Sequence, residues 1–114
     1  MYICLLSIHG LIRGENLELG VDADTGGQTK YVVDLARALS TLPDVERVDL
    51  VTRRISDPAV SSDYAAPEER HGPGVRLIRI DCGPADYIRK EELWDHLDEF
   101  TDTLMEWLTG QPRY

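Results

Sequence analysis

The sequence predicts an α/β fold with a parallel sheet, its elements running β-α-β-β-α. Three apolar runs of strand length, at residues 2–8, 48–52 and 75–82, are the first observation behind it. The first run, Tyr2-Ile3-Cys4-Leu5-Leu6-Ser7-Ile8, is continuous rather than alternating, which marks a strand covered on both faces. The second observation is helical periodicity between and after the strands. Tyr31, Leu35, Ala38, Leu39 and Leu42 form one apolar stripe; Leu93, Trp94, Leu97, Phe100, Leu104, Trp107 and Leu108 form another. Strands separated by helical patterns imply parallel pairing through right-handed crossovers. Three strands make a thin sheet, so the chain reads as the front portion of a larger Rossmann-like domain.

Each element has its own start and stop signals. The first strand ends at His9-Gly10, and residues 10–27 form a loop richer in Gly and charge than a connector needs. A helix is predicted from Thr25, where Thr25 and Gln28 fit a capping box, and Pro43 with Asp44 stops it. Residues 53–74 contain Pro58, Pro67 and Pro73, show no periodicity, and read as a surface loop. The third strand ends at Gly83-Pro84. The second helix, residues 91–108, buries its aromatic stripe as core, and Gly110 and Pro112 close it.

Composition narrows the function classes. A chain of 114 residues with 42% apolar content supports one domain with a modest core. A net charge of −9 argues against nucleic-acid binding, because no basic field draws in a phosphate backbone. The acidic residues of 91–106 read as a solvated helix face. Cys4 and Cys82 sit within predicted strands and read as packed thiols rather than a disulfide. No CxxC or paired Cys/His spacing marks a metal site. No signal peptide or membrane-length apolar run is present, and the chain reads as cytoplasmic.

The chemistry concentrates where the first strand meets the first helix. Asp24-Thr25-Gly26-Gly27-Gln28 places glycines at a helix N-terminus, where unpaired amides and the helix dipole favour an anion. Glycines let a ligand approach the backbone, and Gln28 offers both a donor and an acceptor to a sugar hydroxyl or phosphate oxygen. A plain capped turn fits the same residues equally well. The pattern is not GxGxxG, so a dinucleotide fingerprint is absent. His9 ends a strand at the edge where open α/β sheets bind ligands, and reads equally as a structural hydrogen-bonder. Arg13 suits a phosphate or a salt bridge to Glu15 or Asp24. Lys30, Lys90, Arg53 and Arg54 lie at the same predicted edge and together suggest an anionic substrate. His71 and His96 read as isolated surface residues. No nucleophile–base pair, metal-ligand set or catalytic carboxylate pair assembles from the sequence.

Residues 9–20, His9-Gly10-Leu11-Ile12-Arg13-Gly14-Glu15-Asn16-Leu17-Glu18-Leu19-Gly20, and the stretch from Asp24 to Leu39 closely resemble the N-terminal region of sucrose-phosphate synthases. Val48-Asp49-Leu50-Val51-Thr52-Arg53, Ile78-Arg79-Ile80 and Lys90-Glu91-Glu92-Leu93-Trp94 are similar to the same family. The resemblance implies a retaining glycosyltransferase of GT-B architecture, with two Rossmann-like domains across a cleft. It implies transfer of glucose from UDP-glucose to fructose 6-phosphate, giving sucrose 6-phosphate, without a metal at the reacting centre. By resemblance, residues 1–114 belong to the N-terminal, acceptor-side domain. Gly26, Gly27 and Gln28 would then line the reacting centre, with Lys90 and Arg13 facing the acceptor phosphate.

Sucrose synthases share the Asp24–Gln28 pattern, whereas Leu-Ile-Arg-Gly-Glu-Asn and Thr-Lys-Tyr-Val-Val favour the phosphate-using family. A fructose-using glycosyltransferase and a non-catalytic binding module are the alternative readings. Many relatives carry a further Lys where this chain has Asp86 before Tyr87, which leaves Lys90 as the acceptor contact. In the family a further strand, a His-containing loop and the nucleotide-binding domain follow the second helix. The 114 residues alone are therefore expected to be inactive in glucosyl transfer, with the remainder of the enzyme expected downstream.

Overall fold

Alternate residues of a strand face opposite sides of a sheet, and the long strands here bury both sides. The computed structural model describes residues 1–14 and 27–112. Strands β1 (Tyr2–Leu6), β2 (Arg47–Arg53), β3 (Glu68–Arg70) and β4 (Val75–Ile80) form one sheet in the order β1-β2-β4-β3. β1, β2 and β4 are parallel, with Leu5 opposite Leu50 and Leu50 opposite Leu77. Helix α1 (Gly27–Ser40) covers one face, packing Val33 and Ala36 on Val48, Leu50, Val75 and Leu77. Helix α2 (Leu97–Thr109) covers the other, packing Phe100 and Leu104 on Val51, Ile78 and Ile80. Val48, Leu50 and Val51 are fully buried. Each contributes about 1.5–3 kcal/mol of burial.

The three parallel strands and two helices agree with the sequence reading. Part of the segment read as a surface loop is ordered differently. Residues Ser62–Ala65 make a 3-10 turn, and Glu68–Arg70 pair antiparallel with β4 as β3. Three residues are too few for alternation to register as a pattern, and the flanking prolines mask them.

The second helix also differs. It opens as a 3-10 turn over Lys90–His96 and becomes α-helical only at Leu97. Residues three apart eclipse in a 3-10 winding, so Trp94 and Leu97 share one ridge, and that ridge faces outward. Trp94 is 70% exposed and Leu97 38%, so neither belongs to the core stripe expected of them, whereas Leu93 is buried. Cys82 lies beyond β4 rather than within it; it is buried and free, and Cys4 is half-buried and free.

The N-terminal edge of the sheet holds a buried ion cluster. Asp49 on β2 accepts a two-pronged pair of hydrogen bonds from its cross-strand neighbour Arg76, at 2.7 and 2.8 Å. Arg47 approaches the same carboxylate at 3.2 Å and lies over the Tyr2 ring. None of the described helices is long and apolar enough to cross a membrane.

Candidate functional site

All three parallel strands end at one edge, and the residues just beyond them build the candidate site. Past β1, Ser7 donates its N–H to Val51 O and so extends the strand by one pairing. Gly10 then turns the chain at φ 113°, a conformation that side-chain-bearing residues rarely adopt. Between them, His9 is buried, its Nε2–H donating to Ile88 O at 3.2 Å. Its ring sits 5.6 Å from that of Tyr87. The bond and the ring contact tie the end of β1 to the segment after β4.

A buried arginine sets that second segment. Arg53, the last residue of β2, donates to Pro84 O at 2.6 Å and to Asp86 O at 2.8 Å. Burial pushes its guanidinium below the ordinary arginine pKa. Asp57 adds a bond from Tyr87 N–H, at 3.0 Å. Bonds from the Ala59 and Tyr87 amides hold the Asp57 carboxyl below its usual pKa. The chain then enters the 3-10 turn at Lys90.

Lys90 borders a shallow cleft of about 200 Å³ lined also by Ile8, His9, Leu93, Trp94 and Leu97. Its side chain makes no hydrogen bond or salt bridge with the described residues. Gln28, in the first turn of α1, donates its side-chain amide to Ser7 Oγ, next to Ile8 of the same cleft wall. The end of β1 therefore brings Gln28 and Lys90 to one sheet edge. A Cβ built at Gly27 would meet no atom of the described residues within 4 Å. Gly26 lies outside the described residues, as does Thr25, the first residue of the capping box expected of Thr25 and Gln28. Gln28 donates its side-chain amide N–H to Ser7 Oγ.

Arg13 occupies a different cleft, lined with Asp63, Glu69 and His71 among others. It pairs with Asp63 at 3.1 Å and lies 5.3 Å over the Tyr64 ring. The salt bridge weighed for Arg13 thus has a third partner; Glu15 and Asp24 lie outside the described residues.

Several other basic groups are committed elsewhere. Lys30 pairs with Asp34 at 2.6 Å one helical turn on. Arg54 donates to Ala65 O and pairs with Asp81. With Arg53 bonded to Pro84 O and Asp86 O, each of these three cations has a partner within the fold. His71 is not an isolated surface residue: its Nε2 accepts from Arg37 Nε at 2.7 Å.

Sequence reasoning missed Arg79, Glu69 and Trp94. Arg79 faces the same side of the sheet as Leu77, is buried, and donates to Ile12 O, Ala66 O and Glu69 Oε1. A charged residue inside an apolar strand must find partners when buried, which was the available signal. Trp94 was absorbed into the predicted helix stripe, and only the 3-10 winding turns it to the cleft.

No protein-family model matches the chain. It is 51% identical over 115 aligned residues to sucrose-phosphate synthase of Zea mays, covering 90% of this chain and 11% of that protein. It is 54% identical over 117 residues to a probable sucrose-phosphate synthase of Citrus unshiu, again 90% of this chain and 11% of the relative. Among solved structures it superposes on sucrose-phosphate synthase from Thermosynechococcus elongatus with a TM-score of 0.71 and 29% identity. That match covers 98% of this chain and 25% of the other. Sequence and fold together put the chain in the sucrose-phosphate synthase family, over a region that makes up 11% of its curated relatives.

Proposed function

We propose that the chain forms part of the N-terminal, acceptor-side domain of a glucosyltransferase. The whole enzyme would move glucose from UDP-glucose to fructose 6-phosphate, releasing UDP and forming sucrose 6-phosphate. In this reading Lys90 holds the acceptor phosphate, and Gln28 and the Gly26-Gly27 turn face the sugars and the donor phosphate. Arg13 adds a second cation on the neighbouring loop.

The observation that carries the reading is Lys90. It is a cation without an ion-pair partner among the described residues, on a cleft at the C-terminal end of β1. An ammonium poised there gains a charge-assisted bond when a phosphate arrives. The apolar walls from Ile8, Leu93 and Trp94 suit the carbon face of a sugar. The placement of the helices adds support. α1 and α2 lie on opposite faces, so a right-handed crossover after α2 would put a further parallel strand beside β1. The end of β1 then becomes the point where strand order reverses, which is where open α/β sheets bind ligands.

Titrating the ¹⁵N-labelled chain with fructose 6-phosphate, fructose and UDP-glucose tests this. Saturable shifts at Lys90, His9 and Gln28 are expected with fructose 6-phosphate alone. Equal shifts with fructose would favour a fructose-using relative, and no shift with either would refute the acceptor assignment. A radiolabelled transfer assay on the chain is expected to show no turnover.

A further inference from the structure

We propose that Glu69, Arg79 and Arg37 form a clamp whose task is to position Ile12, Arg13 and Gly14 for the acceptor. The inference rests on the acceptor reading of Arg13 given above. Three consecutive residues are each held from a different element. Ile12 O accepts from Arg79 of β4 at 2.9 Å. Arg13 pairs with Asp63 of the 3-10 turn. Gly14 is held at both ends of its backbone: its N–H donates to Glu69 Oε2 at 2.7 Å, and its carbonyl accepts from Arg37 of α1.

Glu69 is the hub. One carboxylate oxygen takes the Gly14 N–H and the other takes Arg79 NH2 at 2.8 Å, so both oxygens serve as acceptors. A glutamine keeps one acceptor and turns an NH2 toward the remaining donor, so it does not substitute. The approach is close: a Cβ at Gly14 would lie 2.5 Å from both Glu69 Oε2 and His71 Nδ1. This also gives β3 a purpose. Its pairing of Glu69 opposite Leu77 sets the carboxylate on the face that Arg79 shares. Without that strand, the Gly14 N–H loses its acceptor and Arg79 its carboxylate partner.

The test uses the 114-residue chain with Glu69→Gln, Arg37→Lys and the same-strand control Glu68→Gln. Fructose 6-phosphate affinity, Gly14 amide exchange and the urea midpoint are measured for each. Glu69→Gln is expected to speed Gly14 exchange at least tenfold and weaken fructose 6-phosphate binding at least tenfold, with a urea midpoint matching Glu68→Gln. Arg37→Lys alters an α1 position that is not buried and keeps the decision available if Glu69→Gln does not fold; the same loosening is expected. Gly14 exchange within twofold of the parent, loosening without loss of affinity, or an equal affinity loss in Glu68→Gln would each overturn the clamp. If the parent chain binds no fructose 6-phosphate, the acceptor reading fails separately. Gly14 exchange then decides the clamp: faster exchange in the variants supports it as the anchor of this segment, and unchanged exchange overturns it.

Discussion

The two edges of the parallel sheet use buried charge in opposite ways. At the N-terminal edge, Asp49, Arg76 and Arg47 meet side chain to side chain on adjacent strands. At the C-terminal edge, Arg53 and Arg79 are also buried but direct most of their hydrogen bonds to loop carbonyls: Pro84 and Asp86 for one, Ile12 and Ala66 for the other. A closed ion cluster can serve the sheet itself. An open one reaches out to fix backbone that carries no regular structure. Buried charge at the lower edge therefore answers for stability, and at the upper edge for the shape of the loops around the cleft.

The largest effect should come from breaking the closed cluster. Asp49→Ala removes the buried carboxylate that both arginines share, leaving Arg76 the more exposed Glu68 carboxylate at 3.7 Å, and should cost about 3–5 kcal/mol of stability, read as a lower urea midpoint. Fructose 6-phosphate affinity of the folded fraction should not change. A loss below about 1 kcal/mol would erase the contrast between the edges. Next is Lys90→Ala, with the opposite signature. Stability should stay within about 0.5 kcal/mol, because the side chain is exposed and engages no described residue. Fructose 6-phosphate binding should weaken roughly ten- to a hundredfold through loss of a charge-assisted bond.

Arg53→Ala falls between these, moving both readouts. Losing bonds from a buried guanidinium should cost about 1–3 kcal/mol, and the slackened loop should lower affinity through Lys90. Arg53→Lys should fail to restore affinity, because one ammonium does not span two carbonyls two residues apart. The smallest effect belongs to the exposed pair on α1. The Lys30 hydrogen bond holds the Asp34 carboxyl below its usual pKa. A depressed folded pKa means the pair stabilises above the unfolded carboxylate pKa and loses that contribution as pH falls through the folded value. Any difference in urea midpoint between the parent and Lys30→Ala should therefore be present near neutrality and vanish in acid. Ligand affinity should not respond to it.

The contrast between edges also marks how far sequence reading reached. The apolar runs at β1, β2 and β4 and the stripe of α1 were legible because periodicity is a local property of a few residues. Gln28 and Lys90 were legible as candidates because strand ends and helix starts can be located from the same pattern. Arg53 and Lys30 looked alike at that level, each a cation beside a predicted edge. Their partners, Pro84 and Asp86 for one and Asp34 for the other, separate them, and the former lie about thirty residues away.

Sequence by itself determined the α/β class and the parallel pairing of the three long strands, since each follows from local spacing and the handedness of crossovers. Only the tertiary structure decided that Trp94 faces a cleft, that β3 exists, and that Glu69 takes the Gly14 N–H while Arg79 donates to Ile12 O. Those features depend on contacts between residues distant in the chain. A buried donor takes whichever acceptor the fold brings within reach, and no local pattern encodes which one that will be.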